Sequence, residues 1–250
     1  MSLIRNAIKR ALPRRYSKAV AGLVAVARGG HKDHEVSHRR EFMRRAFAAQ
    51  QFNGITGDYA EFGCWGGMTF GLAYEESRRI GMRPRLWAFD SFEGLPPQAG
   101  PEDAHPVWQP GTLSTSRDEF HAICARNHVA RADYDIVPGY YDDTIGPSAK
   151  YAGALPADIA IAYVDCDLYS STATVLQFLA SRMKHGMIVA FDDYFCYSPT
   201  AVAGERKAML DFLAQDRRFD FLPYVQFGWH GMSFIVESRE LLAAEIAPAR

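Results

Sequence analysis

IAIAYVDCDLYSST, the stretch from Ile159 to Thr172, decides the fold of this 250-residue chain. Its first half is a nearly unbroken apolar run, which is typical of a strand buried on both faces in a parallel sheet. The run ends at two carboxylates, Asp165 and Asp167, and a Ser/Thr-rich segment that begins a helix follows them. The stretch therefore predicts a buried strand that delivers two acids to the edge of a sheet.

A second apolar run, MIVAFDDY, ends in the same way at Asp192 and Asp193. Ligands of open α/β sheets bind beyond the carboxyl ends of the strands, so the four acids are expected at one edge. Burying an unpaired carboxylate costs several kcal/mol, which favours a shared cation or a shared reacting proton. The alternative is that the acids only cap helices or pair with arginines. Asp165 and Asp167 are two apart, so on extended backbone their side chains project to one face.

The side chains at these strand ends offer only oxygen atoms to a metal ion, because no His or Cys stands at a spacing suitable for metal coordination. Oxygen ligands select a hard cation such as Mg²⁺ over zinc. The residues themselves leave all four acids, Asp165, Asp167, Asp192 and Asp193, open as candidate ligands.

The segment GDYAEFGCWGG contains the first strand and a glycine turn. Tyr59 to Trp65 is predicted to be a strand, and the glycines at 63, 66 and 67 form a tight turn before the helix that begins at Met68. Such a turn lets the backbone approach a ligand and directs helix N–H groups at it. The spacing GxxGG does not match GxGxxG, so the turn alone leaves a nucleotide-like ligand and a plain connection equally open.

The second strand, RLWAFDSF, ends at Asp90, where a carboxylate can accept hydrogen bonds from both ribose hydroxyls. The alternative is that Asp90 caps the loop. The Pro/Gly-rich loop that follows, through Gly111, is predicted to be a lid or a substrate loop. Ser116 and Glu119 form a capping box that predicts a helix from Arg117.

The rest of the chain continues the alternation of strand and helix. Asp142, Asp143 and Thr144 are predicted to be turn residues after a short strand, and a helix is expected from 171 to 183. Two β-rich runs around Gly228 predict a C-terminal hairpin. The fold class is therefore α/β, doubly wound, with a mostly parallel sheet and an antiparallel pair at its C-terminal end.

Composition excludes several classes of protein. The net charge is -1 and 48% of residues are hydrophobic, which excludes a disordered chain and gives no general attraction to nucleic acid. The four cysteines form no CxxC pair, so neither disulfides nor a zinc site is expected and a cytoplasmic location is the default. No apolar run reaches about 18 residues, so no transmembrane segment is expected.

The first 40 residues carry ten Lys or Arg against Asp33 and Glu35, interleaved with apolar positions at helical spacing. Residues 1–50 are therefore predicted to be a basic helical extension, which precedes the α/β domain of residues 51–250. The extension is compatible with peripheral contact to an anionic membrane or an acidic partner. The favoured alternative is a solvated amphipathic helix on its own domain or on a second copy of the chain.

Five motifs in order carry a family resemblance: EFGCWGG, FDSFEGLP, VPGYYDDT, VDCDLYSST and FDDY. Between about residues 57 and 213 the chain resembles the macrocin O-methyltransferase family of S-adenosylmethionine-dependent sugar O-methyltransferases. The resemblance implies a class I methyltransferase (Rossmann-like) fold with a seven-stranded sheet. It also implies S-adenosylmethionine and Mg²⁺ as cofactors, a small-molecule hydroxyl acceptor that is most often a sugar, and a homo-oligomer.

The resemblance also implies roles for individual residues. The methionine end of S-adenosylmethionine would be held by the glycine turn, the ribose by the end of the second strand, and the adenine by the loop after the third. In this sequence those positions are Glu61, Gly63, Cys64, Trp65, Gly67, Asp90, Ser91, Tyr140 and Tyr141, with Asp165 beside them. Asp165, Asp192 and Asp193 match the magnesium ligands, and Asp167 matches the general base.

The sequence departs from the family pattern at Cys64 and Gly66, where Val and Arg are common, and at Tyr140, where Trp is frequent. The acceptor and the hydroxyl that is methylated stay open, because residues 1–40 and 98–111 match nothing. Three histidines, His105, His185 and His230, are alternatives to Asp167 as the base. For each of them a structural or substrate-contacting role is the favoured interpretation.

Two other functions stay open. Asp165-Cys-Asp167 could be the metal motif of a nucleotide-sugar glycosyltransferase, although that leaves the glycine turn and the second acidic pair without a role. The chain could also be a non-catalytic, cofactor-binding accessory protein that docks through its basic N-terminus.

Overall fold

The computed structural model describes the backbone of residues 14–246 and the side chains of residues 34–244. The chain divides into two compact units, Met1–His38 and Arg39–Arg250. Helix α1, Arg14–Asn53, begins in the first unit and ends in the second. Its residues Phe42, Met43 and Phe47 are buried in the core of the second unit.

Seven strands form one sheet in the order β3-β2-β1-β4-β5-β7-β6. Five strands are parallel, and β7 pairs antiparallel with both β5 and β6. The strands are β1 Asp58–Phe62, β2 Leu86–Asp90, β3 Tyr134–Pro138, β4 Ile159–Val164, β5 Ile188–Phe191, β6 Phe219–Phe227 and β7 Gly231–Ser238. The predicted parallel sheet with a C-terminal hairpin is therefore confirmed.

Helices lie between most consecutive strands, and β6 and β7 are joined directly by the hairpin turn. The helices after α1 are α2 Met68–Arg79, α3 Arg117–Arg126, a short α4 Tyr141–Thr144, α5 Tyr169–Ala180, α6 Gly204–Gln215 and α7 Arg239–Ile246. The capping box is confirmed, because the Ser116 side chain accepts from the Glu119 N–H.

Three boundaries differ from the sequence predictions. β1 ends at Phe62 rather than at Trp65, because the chain turns at Gly63 with φ of 90°. Asp142, Asp143 and Thr144 belong to α4 and not to a simple turn. Helix α5 begins two residues before 171, immediately after the acids of the fourth strand.

The order of the strands places β1 and β4 side by side at the centre, where the direction of winding reverses. Phe62 pairs with Phe89 of β2 on one side and with Val164 of β4 on the other. Val164 in turn pairs with Phe191 of β5. The carboxyl ends of β2, β1, β4 and β5 therefore form one continuous edge, which is the ligand-binding position of such sheets.

The core that supports this edge is rich in aromatic residues. The rings of Phe62 and Phe89 stack with centroids 4.5 Å apart, and Phe178 of α5 packs against both. Each fully buried ring of this size contributes about 1.5–3 kcal/mol by leaving water, so the end of β1 is firmly held. All four cysteines are free and buried, as expected. Within residues 14–246, no helix has the length and apolarity needed to cross a bilayer.

Candidate active site

The glycine turn after β1 lies directly against the end of β4. The Gly63 N–H donates to the Phe89 carbonyl oxygen at 2.8 Å. A Cβ atom on Gly63 would lie 1.9 Å from the carbonyl oxygen of Asp165, which no side chain can do. The turn therefore needs glycine both for its φ of 90° and for this approach between the two strands.

A cavity of about 260 Å³ opens beside this turn at the switch point of the sheet. Seven of the residues predicted to bind the cofactor line it: Gly63, Trp65, Asp90, Ser91, Tyr140, Tyr141 and Asp165. Asp167 lines it as well. The cavity therefore brings together residues from the ends of β1, β2, β3 and β4.

Three residues of the predicted set lie behind the cavity wall. Glu61 is buried in β1, where its carboxyl accepts from the Tyr59 hydroxyl at 2.5 Å. Cys64 is buried and points away, and its N–H donates to Asp90 at 2.7 Å. Gly67 precedes α2, where a Cβ atom would meet side chains of α3. These three residues support the glycine turn without lining the cavity.

Asp90 is fixed by the backbone on both oxygens. Its Oδ2 accepts from the Cys64 N–H and its Oδ1 from the Phe92 N–H, both at 2.7 Å. Burial raises the pKa of Asp90, and the two N–H bonds lower it again in part. Because each carboxylate oxygen has a second lone pair, the residue can still accept from a ligand hydroxyl.

Further wall residues come from segments that the sequence did not assign to the cofactor. Leu95, Pro96 and Pro97 close one side of the cavity, and Ser170, Ser171 and Thr174 of α5 close another. The signal for the first group was available in the motif FEGLPP, whose prolines fix an extended wall.

The loop after Leu95 is tied down by a buried acid. Asp103 accepts from the Ser170 N–H and the Ser170 hydroxyl, both at 2.9 Å, and from the Ala99 N–H at 2.7 Å. The loop also carries Trp108, which packs on Leu168 next to Asp167. Residues 95–112 thus form a wall of the cavity that also reaches Leu168, beside the acids.

The acids of β4 and β5 converge as the sequence predicts. Carboxylate oxygens of Asp165, Asp167 and Asp193 all lie within 4.8 Å of one another, and a second group at the same limit joins Asp192, Asp193 and His230. We call Asp165, Asp167, Asp192 and Asp193 the acid cluster. Asp165 belongs to both the cluster and the cavity wall, so the two are continuous.

Asp167 is reached by a different backbone from the expected one. Its φ is 61°, a left-handed conformation rather than an extended one, so the alternation argument for Asp165 and Asp167 was wrong. The side chains meet because the chain turns sharply between β4 and α5. Such a conformation costs about 1–3 kcal/mol in a residue other than glycine and is typical of functional sites.

Asp192 is the most fully engaged of the four acids. Arg39 of α1 donates to its two oxygens at 2.9 and 2.6 Å, and the Tyr163 hydroxyl donates to Oδ1. His230 Nδ1 donates to the Asp192 carbonyl oxygen at 2.5 Å. No sequence pattern connected Arg39 or Tyr163 with the acids.

Burial and mutual repulsion raise the pKa of the other three acids of the cluster. Burial raises the pKa of Asp165 well above its usual value, and the charges of Asp192 and Asp193 raise it further. Burial, followed by the charge of Asp193, does the same for Asp167. Together with the Arg39 guanidinium, a further cation would let these carboxylates ionise, so the donor set suits a hard divalent ion.

The three rival bases have other partners. The His105 ring stacks on Trp108 with centroids 3.9 Å apart, and burial lowers its pKa. His185 accepts from the Ser238 N–H at 3.2 Å, at the opposite end of β7 from the acid cluster. His230 is occupied with Asp192.

The sheet order and the cavity at its switch point define the class I methyltransferase fold. Residues 36–217 match the model of the macrocin O-methyltransferase (TylF) family. The chain therefore belongs to that family, as the resemblance predicted.

Two relatives illustrate the match. One is the 8-demethyl-8-(2,3-dimethoxy-alpha-L-rhamnosyl)-tetracenomycin-C 4'-O-methyltransferase of Streptomyces olivaceus, 29% identical over 57% of this chain and 54% of its own length. The other is the demethyldecarbamoylnovobiocin O-methyltransferase of Streptomyces niveus, 29% identical over 59% of this chain and 56% of its own. The chain thus aligns with about half the length of these curated relatives.

Among solved structures, the O-methyltransferase NovP has a TM-score of 0.62 at 22% identity and covers 81% of this chain and 80% of its own. At that identity the likeness establishes the fold alone.

Proposed function

We propose that this protein is an S-adenosylmethionine-dependent O-methyltransferase that methylates a hydroxyl of a small molecule, most simply a sugar or a glycosylated natural product. The observation that carries the proposal is the continuity of the cavity at the switch point with the acid cluster through Asp165. A methyl donor in the cavity would thus lie next to groups that can accept a proton. The relative named as an O-methyltransferase of a rhamnosyl-tetracenomycin supports the acceptor class.

The donor site follows from the cavity wall. Asp90 would accept from the ribose hydroxyls, Gly63 would admit the methionine end, and Tyr140 and Tyr141 would contact the adenine. Glu61, Cys64 and Gly67 would act indirectly by supporting the turn. Because Asp90 is held by two backbone N–H groups, its oxygens are oriented before the ligand arrives.

Asp167 is the residue that we propose takes the proton of the acceptor hydroxyl. It is buried, lies within 4.8 Å of two other acids and lines the cavity. Asp165, Asp192 and Asp193 would hold Mg²⁺, with Asp192 sharing its charge with Arg39. A bound Mg²⁺ would supply Lewis acidity that lowers the pKa of the acceptor hydroxyl. Asp167 would then take the proton of that hydroxyl.

The surroundings of the acids are largely closed to solvent. Asp167 has 7% of its surface exposed, and Trp108, which packs on the adjacent Leu168, has 9%. A dry site favours this transfer because the positive charge of the sulfonium is dispersed as the methyl group moves.

The proposal includes a cytoplasmic location and a homo-oligomeric state. It also includes a peripheral contact of the basic residues before 50 with an anionic membrane or an acidic partner. These three parts of the proposal rest on the composition and on the family, and a size-exclusion measurement with light scattering tests the oligomer.

The proposal is tested by calorimetric titration of the purified protein with S-adenosylhomocysteine and, separately, with UDP- and GDP-sugars. We expect S-adenosylhomocysteine to bind and the nucleotide sugars not to bind. The reverse result would favour the glycosyltransferase interpretation, which the family membership does not support. Binding without turnover across a broad acceptor panel, together with co-purification of a catalytic partner, would favour the accessory protein.

A further inference from the structure

Glu205 is a fully buried acid that the sequence did not connect with the site. Its side chain has no exposed surface and lies at the first turn of α6. Oε1 accepts from the Cys166 N–H at 2.9 Å, and Oε2 accepts from the Asp193 N–H at 2.8 Å. One carboxylate therefore joins the segment after β4 to the segment after β5.

The two N–H groups belong to the segments that carry the acid cluster. Cys166 stands between Asp165 and Asp167, and Asp193 is itself a member of the cluster. The two oxygens of one planar carboxylate lie at a fixed separation, so the two segments are held at a fixed distance from each other. The pairing of β4 with β5 ends at Val164 and Phe191, with one further bond from the Asp192 N–H to the Val164 carbonyl oxygen at 2.8 Å. Glu205 joins the two segments beyond that point.

Glycine at 204 allows α6 to come this close. Gly204 has φ of 58°, and a Cβ atom there would lie 3.1 Å from the carbonyl oxygen of Asp167. The helix thus starts directly behind the acid cluster. The N-terminus of α6 favours a negative charge in its first turn, which offsets part of the cost of placing another acid here.

A neutral glutamine at position 205 would avoid the repulsion between a carboxylate and the four neighbouring acids, yet the sequence has glutamate there. A glutamine side chain has one acceptor oxygen, whereas two buried N–H groups need two acceptors. Only a carboxylate of this length satisfies both, and a buried N–H left without an acceptor costs about 1–3 kcal/mol. The sequence therefore places a fifth acid where charge is unfavourable and geometry requires it.

We propose that Glu205 is a positioning residue that sets the distance between Asp165 and Asp167 on one side and Asp193 on the other. For the chemistry of those acids the inference rests on the proposed function, but the positioning itself does not. Outer partners of this kind typically account for about 10- to 100-fold in metal affinity or activity. We expect a change of that size when the bridge is broken.

The test is Glu205→Gln, compared with wild type by hydrogen–deuterium exchange, Mn²⁺ binding and kinetics. Because glutamine keeps one acceptor oxygen, exchange should rise at whichever of Cys166 and Asp193 loses its acceptor, while the strands stay protected. Mn²⁺ affinity, followed by the paramagnetic resonance of the free ion, should fall about 10- to 100-fold. With an active acceptor, kcat should fall while KM for S-adenosylmethionine stays nearly unchanged.

Asp211→Asn is the matched control on the same helix. Asp211 accepts from the Tyr169 hydroxyl at 3.0 Å and so joins α6 to α5 away from the acids. This variant should lose some stability and leave exchange at 166 and 193 and Mn²⁺ affinity as in wild type. If Glu205→Gln does not fold, Glu205→Asp serves in its place, because the shorter side chain can reach only one segment.

Unchanged exchange at Cys166 and Asp193 in a folded Glu205 variant would overturn the proposal. Equal losses of Mn²⁺ affinity in the Glu205 and Asp211 variants would also overturn it, since they would show a general effect of α6. If wild type binds no Mn²⁺ and transfers no methyl group, the proposed function fails, and the exchange measurement alone still decides the role of Glu205.

Discussion

Arg39 and Asp192 form an ion pair with two hydrogen bonds, of 2.9 and 2.6 Å, inside the acid cluster. Both side chains are nearly inaccessible, with 11% and 5% of their surface exposed. Burial alone would lower the pKa of Arg39, but the surrounding Tyr163 and Asp192 raise it above its usual value. The guanidinium therefore stays charged and compensates one acid of the cluster permanently.

Arg39→Met should destabilise the protein strongly, because it leaves Asp192 buried without its partner. We expect a loss of about 3–5 kcal/mol in the free energy of unfolding, measured by urea denaturation. The control is Arg44→Met on the same helix, whose pairing with Glu41 is exposed to solvent, so this variant should change the stability little. Equal losses in the two variants would contradict the importance of the buried pair.

Gly63→Ala should destabilise the protein by more than about 3 kcal/mol and abolish binding of S-adenosylhomocysteine, because its Cβ would collide with the Asp165 backbone. Gly66→Ala is the matched control in the same turn. Gly66 also has positive φ, but nothing lies within 4 Å of its Cβ position, so the loss should be about 1–2 kcal/mol. Thermal melts and calorimetry measure both effects, and similar losses would show that the close approach does not matter.

Stability should fall as pH rises, because burial raises the pKa of Glu61 from 4.5 to about 8. Between these values the folded state keeps a proton that the unfolded state has released, so raising the pH favours unfolding. One such group contributes a slope of at most about 1.4 kcal/mol per pH unit.

Glu61→Gln should therefore flatten the decline in melting temperature of the metal-free protein over this pH range. The exposed Glu93 provides the control, Glu93→Gln, which should leave the slope as in wild type. A wild-type protein whose stability rises with pH throughout the range would refute the assignment of a neutral buried Glu61.

Asp103→Ala should release the wall formed by residues 95–112, because three hydrogen bonds to Asp103 are lost. We expect faster cleavage of this segment by a protease and a loss of about 2 kcal/mol in stability. Glu102→Ala, at the neighbouring position, should change neither. An unchanged cleavage rate in the Asp103 variant would show that other contacts hold the loop.

Much of the fold was predictable because the pattern of apolar residues along the chain indicates which segments are buried. The apolar run 159–164, the acids after it and the glycine turn at 63–67 each predict a local structure, and parallel pairing brings those local structures to one edge. The family motifs added the seven-stranded sheet and the expected ligand of the cavity. Seven of the ten residues predicted to bind the cofactor line that cavity.

What the sequence could not predict depends on contacts between distant segments. Arg39 is 153 positions from Asp192, and Glu205 is 39 positions from Cys166, so no local pattern connects them. The left-handed backbone of Asp167 is likewise a tertiary effect, since Asp tolerates that conformation without requiring it. Side-chain partners across a sheet edge are decided by packing and not by spacing along the chain.

The central claim is that Asp167 takes a proton from an acceptor hydroxyl while neighbouring acids hold a divalent cation. The measurement is the formation of S-adenosylhomocysteine and methylated product by wild type, Asp165→Asn and Asp167→Asn, with Mg²⁺ or EDTA and a panel of sugar-bearing acceptors.

We predict acceptor-dependent turnover by wild type that EDTA abolishes. Asp167→Asn should lose turnover by about 10²–10⁴-fold and keep its metal affinity, whereas Asp165→Asn should lose both. Robust, EDTA-resistant methyl transfer by the Asp165→Asn protein would contradict the account.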